Sequence, residues 1–367
     1  MIERTEASAR PAEPAPASAL PVALPELDAL LPTAKARLAR RLVLEGKRPE
    51  PADFAARALA LSKPEAARLA AWEETALTTR VAERVPSDDG SARLVVKLRD
   101  GELIETVAMP VGAVCVSTQV GCAVACRFCA SGMNGLKRNL AAAEIVEQVI
   151  HARRERRIDR VVYMGMGEPS HNLANVLEAV ALLKSSAGIG PARQTFSTVG
   201  SAKAFAGLSA ARVKPCLALS LHSADDAIRR ELLPNAAPEP VAELVAGAAR
   251  YAALQKKPIV FEWTLLAGVN DRDEDVAQLA ALLKGVRGYV NFIRWNPVAG
   301  MPFTPTSFER AVELREQVKA HGILATIRAS TGRDVDAACG QLRRRSTIST
   351  LATPPRTSST ATGSDGK

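Results

Sequence analysis

Cys122, Cys126 and Cys129 form a C-x3-C-x2-C run whose last cysteine follows the aromatic Phe128. Three clustered thiolates with no fourth close by can hold three irons of a cubane iron–sulfur cluster. The fourth iron is then open to bind and reduce a sulfonium. A tetrahedral structural zinc normally takes four protein ligands, so three closely spaced thiols suit it poorly. On spacing alone, half of a zinc site completed elsewhere and three buried thiols stay open as alternatives.

Three more cysteines lie outside the run. Cys115 precedes Cys122 by seven residues, Cys339 sits among small residues in Asp336-Ala337-Ala338-Cys339-Gly340-Gln341-Leu342, and Cys216 heads an apolar run. Free cysteine usually behaves as a small core hydrophobe, and that is the reading for Cys216. Other chemistry-bearing residues fall at the ends of apolar runs. Gly165-Met166-Gly167-Glu168-Pro169 follows Val161-Val162-Tyr163-Met164. Its glycines allow close approach of backbone to a ligand, and Glu168 can accept from an ammonium, although such a turn is more often only a turn. Ser197, then Ser220-Leu221-His222, then Asn296 end three later runs in the same way. Singly each is unremarkable; together they place polar strand ends and a cysteine run on one rim.

The elements that must position them are βα units. Strand-like runs occur at 114–117, 159–164, 194–198, 216–221, 258–265, 289–294 and 323–328, separated mostly by amphipathic stretches such as 141–154 and 276–283. That alternation predicts an α/β fold with a parallel sheet, an incomplete (β/α)6-type barrel whose chemistry gathers at the carboxyl ends of its strands. The cysteine run follows the first of these strands. Upstream, Asp100-Gly101 between two β-prone segments (93–98 and 103–109) signals a hairpin. Residues 26–90 read as a small basic helical accessory domain, with Thr33 as a candidate cap for a helix carrying Leu38, Leu42 and Val43. Residues 91–343 form the core. Residues 1–25 and 344–367, rich in Pro, Ser and Thr, read as disordered tails.

The chain has 367 residues, 47% of them hydrophobic, and a net charge of +9. No apolar run reaches the roughly 18 residues of a membrane span, and the Ala/Pro-rich N-terminus lacks a signal peptide's pattern. Six cysteines without an export signal point to reduced thiols in a cytoplasm. The positive charge favours a polyanionic partner. Arg153, Arg154, Arg156 and Arg157 are candidate phosphate contacts, or simply a solvated helix face. No pairing element is evident, which points to a monomer.

The run from Cys115 through Cys122, Cys126 and Cys129 resembles the radical S-adenosylmethionine RNA adenosine methyltransferases of the RlmN/Cfr family. Gly135-Leu136-Lys137-Arg138-Asn139-Leu140, Met164-Gly-Met-Gly-Glu168-Pro169, Ser220-Leu221-His222 and the 336–342 string carry the same likeness, which spans about 91–343. The outer cysteines with the A-A-C-G-Q-L string are the specific part. The resemblance implies a radical SAM core holding a [4Fe-4S] cluster on Cys122, Cys126 and Cys129, and S-adenosylmethionine contacted by Gly167, Glu168, Ser197, Ser220, Leu221, His222 and Asn296. It implies that Cys339 carries a methyl group, that Glu105 is a base, and that Cys115 releases product through a transient disulfide. A radical route suits C2 of adenine, which is too electron-poor to attack a sulfonium. The implied substrates are 23S ribosomal RNA at the peptidyl-transferase centre and transfer RNA, with flavodoxin or ferredoxin as electron donor.

The Met-Gly-Met-Gly-Glu-Pro and Trp295-Asn296-Pro297 strings look like the C2-methylating branch, while Ser197-Thr198-Val199-Gly200 is closer to the C8-methylating one. The bland reading of Glu105 is an exposed hairpin glutamate. A radical enzyme on another substrate and a non-catalytic iron–sulfur or zinc RNA-binding protein are the competing functions.

Overall fold

The structure, a computed structural model, describes residues 27–343, so the expected tails lie outside the described residues. Four helices come first: α1 (Leu27–Leu30), α2 (Thr33–Leu44), α3 (Pro51–Ala55) and α4 (Lys63–Glu73). The helical spacing of α2 buries Leu38, Leu42 and Val43. Thr33 does not cap this helix: Pro32 takes the cap position, and Thr33 is the first helical residue. A capping box stands at α4 instead. Glu65 N–H donates to Ser62 Oγ at 3.4 Å while the Glu65 carboxylate accepts from Ser62 N–H at 2.7 Å. Lys35 of α2 reaches the same carboxylate at 2.7 Å, tying the two helices together.

An antiparallel meander follows, β1 (Arg80–Pro86), β2 (Ala92–Lys97) and β3 (Leu103–Met109). The hairpin between β2 and β3 turns at Gly101, φ +87°, a left-handed conformation that glycine adopts without strain. The stretch 26–90 therefore holds one strand as well as its helices. β4 (Ala113–Cys115) pairs antiparallel with β3 on one side. A separate two-stranded hairpin, β5 (Gln119–Gly121) and β6 (Leu136–Asn139), brackets the cysteine run and leads into α5 (Ala142–Glu155).

Strands and helices then alternate: β7 (Arg160–Tyr163), α6 (Leu173–Ser186), β8 (Gln194–Thr198), α7 (Ala202–Ala210), β9 (Cys216–Ser220), α8 (Asp226–Leu232), α9 (Val241–Gln255), β10 (Ile259–Leu265), α10 (Asp273–Leu282), β11 (Gly288–Arg294), α11 (Phe308–Ala320) and β12 (Leu324–Arg328). β4, β7, β8, β9, β10, β11 and β12 lie side by side in that order, every neighbouring pair parallel. Among the described residues β12 has only β11 beside it, and the other side of β4 is taken by β3, so the sheet curls without closing. This is the expected incomplete (β/α)6 barrel, extended at one edge by the antiparallel meander. Near-continuous apolar runs make such strands because both faces are covered; Phe196, Phe261 and Phe292 are fully or almost fully buried. Among the described residues no helix is long and apolar enough to cross a membrane.

Helix α5 departs from the one-sided stripe expected of it. Ile145, Val149 and Ala152 are buried, as is Gln148, which bonds to Ser117 and Thr106 of the core, but so are Glu147 and His151 on its other side. The N-terminal region covers that side. The Glu147 carboxylate accepts from the N–H and hydroxyl of both Thr78 and Thr79, just before β1. Arg153 is a structural pin rather than a solvated charge. Its guanidinium donates to the carbonyls of Leu44, Ala187 and Ile158 at 2.6, 2.9 and 3.1 Å, joining α2 to α5 and to the end of α6. Charge-assisted bonds of this kind contribute about 1.5–3 kcal/mol each. Arg153→Ala is expected to lower unfolding stability by roughly 3 kcal/mol, whereas Arg157→Ala, whose side chain is 89% exposed, changes it by less than about 0.5 kcal/mol. Urea unfolding of both variants checks this; equal midpoints would contradict the pin.

Candidate active site at the barrel mouth

The cysteine loop is tight because its glycines permit contacts no side chain would. At Gly121 (φ +82°) a Cβ would lie 1.9 Å from the Gly135 carbonyl oxygen, and at Gly132 it would lie 2.7 Å from Ala125 Cα. Ala125 itself takes φ +53°. This folding turns Cys122, Cys126 and Cys129 toward one cleft. Backbone N–H groups of Val124 and Ala125 face the Cys122 sulfur, and those of Ser131 and Gly132, with the Ser131 hydroxyl, face Cys129. Burial pushes the Cys122 thiol up to about 12. It also raises Cys126 well above the ordinary thiol range, with the neighbouring Cys129 and Cys122 charges adding to the effect. Three thiolates here need a cationic group to neutralise them, and the N–H donors supply only part of that.

The rest of the cleft is built from strand ends. The glycine turn after β7 is demanded by packing: a Cβ at Gly165 would meet Val116 backbone at 2.7 Å, and one at Gly167 (φ +102°) would meet the Gln119 side chain at 2.6 Å. Glu168 is 5% exposed, and its carboxylate accepts from Ser170 N–H at 3.0 Å and Val199 N–H at 3.1 Å, bridging the ends of β7 and β8. Ser197 and Ser220 face each other, Oγ to Oγ 3.3 Å. His222 stands at φ +59°, with its Nδ1 accepting from Thr264 N–H at 3.0 Å, so its proton is on Nε2. Burial, and then the Arg229 charge, lower it to about 3, so it is neutral. Its ring meets Phe128 edge-on at 4.8 Å, inside the cysteine run.

Two expected contacts are placed differently. The Leu221 side chain is fully buried and does not line the cleft; its backbone N–H donates to the Glu262 carbonyl. Asn296 is 1% exposed and donates through Nδ2 to the Cys339 carbonyl at 3.0 Å, while its Oδ1 is buried without a partner.

Cys115 and Cys339 come together as the outer pair. Both line a narrow slot beside the main cleft, and the two cavities share Cys129, Ser131, Met164, Gly165, Cys339 and Gly340. Cys339 thus stands in the wall between them. Burial, then the Cys339 charge, push the Cys115 thiol up to about 12. All six cysteines are free thiols. Glu105 is not exposed, contrary to the bland reading of a hairpin glutamate. It is 1% exposed, paired with the equally buried Arg93 at 3.1 Å, and accepts from Arg343 N–H at 2.8 Å.

Two residues were missed in the sequence. Glu262 lines the cleft and accepts from Asn291 Nδ2 at 2.7 Å; burial raises its pKa. Arg328, at the end of β12, lines the slot with both outer cysteines. Its pKa is raised, first by Cys339 and then by Glu262 and Cys115. A carboxylate inside the apolar run Phe261-Glu262-Trp263, and a charge closing the last strand, were the available signals.

Residues 116–280 match the family model of the Radical SAM superfamily. A probable RNA methyltransferase of Pseudomonas aeruginosa is 48% identical over 265 residues, 72% of this chain and 77% of its own length. Another, of Leptothrix cholodnii, is 45% identical over 307 residues, covering 84% and 87%. The crystal structure of a radical SAM methyltransferase from Sphaerobacter thermophilus superposes with TM-score 0.77 at 37% identity, covering 87% of this chain and 96% of that one. This chain belongs to the radical SAM superfamily. Within it, it falls in the methyltransferase family to which these relatives belong.

The residues present fit the cluster and the sulfonium that this superfamily implies. Among the described residues no three His, Cys, Asp or Glu converge as ligands of one ion; a cubane asks for thiolates set apart, since each binds a different iron. The N–H groups at Cys122 and Cys129 suit thiolate ligands, and the orphaned Asn296 Oδ1 suits a donor group on a bound molecule.

Gly167→Ala tests the turn. Its left-handed backbone and the Gln119 contact together cost about 1–3 kcal/mol. Thermal unfolding is expected to show that loss, with Glu168 displaced; wild-type stability would contradict the packing account.

Proposed function

We propose that this protein is a radical S-adenosylmethionine-dependent methyltransferase acting on RNA, methylating C2 of an adenosine in the peptidyl-transferase centre of 23S ribosomal RNA and also in transfer RNA. The observation that carries the proposal is the placement of Cys339 in a wall shared by the three-cysteine cleft and the Cys115 slot. A radical enzyme on another substrate needs the cleft but has no use for a thiol pair there, and a binding protein needs neither cavity.

A [4Fe-4S] cluster on Cys122, Cys126 and Cys129 supplies, when reduced by a flavodoxin or ferredoxin, one-electron cleavage of S-adenosylmethionine to a carbon radical. Glu168, Ser197, Ser220 and neutral His222 orient the cosubstrate; the Nε2–H of His222 donates and the Glu168 carboxylate accepts. Gly167 leaves backbone room, and Asn296 and the Leu221 backbone fix the rim. Cys339 carries the methyl group as a thioether, poised between the two cavities. The carbon radical takes a hydrogen atom from that methyl group, and the Cys339-bound CH2 radical adds to the ring carbon. Glu105 takes the ring proton, the odd electron would return to the oxidised cluster, and the Cys115 thiolate then attacks the Cys339 sulfur. The S–S bond forms as the S–C bond breaks, and the released carbon takes up a proton. Glu105 performs this role only once Arg343 N–H lets go of it.

RNA as the substrate is supported by the relatives' names and by a basic cleft between α4, β1, β2 and α5. Arg80, Lys97, Arg99 and Arg154 line it and make no ion pair among the described residues. Phosphate contacts of this kind give salt-dependent affinity. The C8 product is the second reading, favoured by Ser197-Thr198-Val199-Gly200.

The test is anaerobic reconstitution with S-adenosylmethionine, reductant and RNA, followed by mass spectrometry of the digested nucleosides. The expected product is 2-methyladenosine, absent with Cys339→Ala; with Cys115→Ala, RNA stays covalently attached to the protein. 8-Methyladenosine would transfer the assignment to the other branch. Turnover by Cys339→Ala would overturn the two-cysteine scheme.

A further inference from the structure

Residues 329–343 carry Cys339 across the barrel mouth with only a single short turn of helix (Arg333–Val335) between β12 and the end of the described chain. Such a segment takes its position from whatever holds it. Its second half is held by the core: Ala130 N–H donates to the Gly340 carbonyl at 2.7 Å, Ser131 Oγ to the Leu342 carbonyl at 2.6 Å, and Gln341 Nε2 to the Pro297 carbonyl at 3.0 Å. The first half is held from elsewhere, by the turn between β1 and β2. The Asp334 carboxylate accepts from Ser87 Oγ at 2.5 Å and from Asp88 N–H at 3.0 Å. In return the Asp89 carboxylate accepts from Gly332 N–H at 2.7 Å.

The held stretch turns through two left-handed residues. Gly332 has φ +71° and Asp336, not a glycine, has φ +52°. Gly332 also accepts Ala337 N–H at 2.8 Å, closing a tight loop directly before Ala338 and Cys339. A Cβ at Gly332 would lie 2.7 Å from the Ala337 Cβ, so the loop has little slack. A left-handed non-glycine residue persists where the neighbouring chain is held, and the reciprocal carboxylates hold the chain two and four residues before Asp336, at Asp334 and Gly332. Charged acceptors on backbone N–H groups are the stronger class of hydrogen bond.

We propose that Asp334 and Asp89 are positioning residues for methyl transfer, a two-way clasp by which the β1–β2 turn fixes where Cys339 stands between the two cavities. Neither lines a cavity with the cysteines, so both act through the segment. The meander beside the barrel thereby contributes to the active site without touching substrate. The inference rests on the methyl-carrier reading of Cys339, and its test is built to fail separately from that reading.

Asp334→Ala, Asp89→Ala, Asp334→Asn and Ser87→Ala are compared with wild type in the full chain. The first readout is trypsin cleavage after the exposed Arg333, which needs no cofactor or activity. The second is single-site kinetics of RNA methylation. In both alanine variants of the aspartates, cleavage after Arg333 is expected to speed up several-fold. Their kcat is expected to fall at least ~10-fold with RNA KM within about twofold, since a misplacement of about 1 Å can cost as much as 100-fold. Asp334→Asn keeps one carbonyl acceptor and recovers part of kcat. Ser87→Ala, which removes one hydroxyl donor to Asp334 and leaves both carboxylates in place, reproduces a smaller loss and serves if the aspartate variants do not fold. Unchanged cleavage, or unchanged kcat in both aspartate variants, overturns the clasp. If wild type itself fails to methylate RNA, the proposed function falls and the cleavage rates alone decide the clasp.

Discussion

Cys339 lines two cavities and is held there by a segment with almost no regular structure of its own. Everything distinctive in this molecule bears on that constraint. The barrel is open between β12 and β4, and residues 329–343 cross its mouth there. They are hydrogen-bonded to the cysteine loop, to the end of β11 through Asn296 and Pro297, to β3 through Glu105, and to the β1–β2 turn. Because each bond reaches a different part of the chain, the position of Cys339 reports on the whole fold. The meander at the edge of the sheet supplies two of these holds.

Burial sets the electrostatics of the site. Thiols taken out of water resist ionising, and Cys115, Cys122, Cys126 and Cys129 are all raised for that reason first. The cleft is thus arranged to favour bound cationic species over free thiolates. Arg328 is the counter-charge on the other side, facing Cys339, Glu262 and Cys115. The Arg93–Glu105 pair is likewise fully buried. Removing one member of such a pair leaves an uncompensated charge, a loss of roughly 3–5 kcal/mol, so a Glu105 substitution perturbs stability along with any proton transfer.

Much of this was legible beforehand because it rests on local signals. Seven apolar runs became seven parallel strands, and the Asp100-Gly101 turn became a hairpin. The three clustered cysteines and the polar strand ends Glu168, Ser197, Ser220 and His222 share one cleft. What was not legible depends on packing between distant segments. The all-round burial of α5, the role of Arg153 and the burial of Glu105 follow from the N-terminal region lying against the barrel, which no periodicity encodes. Arg328 and Glu262 could have been suspected, as charges inside or closing apolar strands. The burial of the Leu221 side chain was not legible either, because a motif names residues without saying whether side chain or backbone faces the ligand.

The central claim is that Cys339 is the methyl carrier. The most direct measurement is tandem mass spectrometry of the cluster-loaded protein after incubation with S-adenosylmethionine and reductant in the absence of RNA. The account predicts one added methyl group, located on Cys339 and on no other cysteine. An unmodified Cys339, or a methyl group on Cys115, would contradict it.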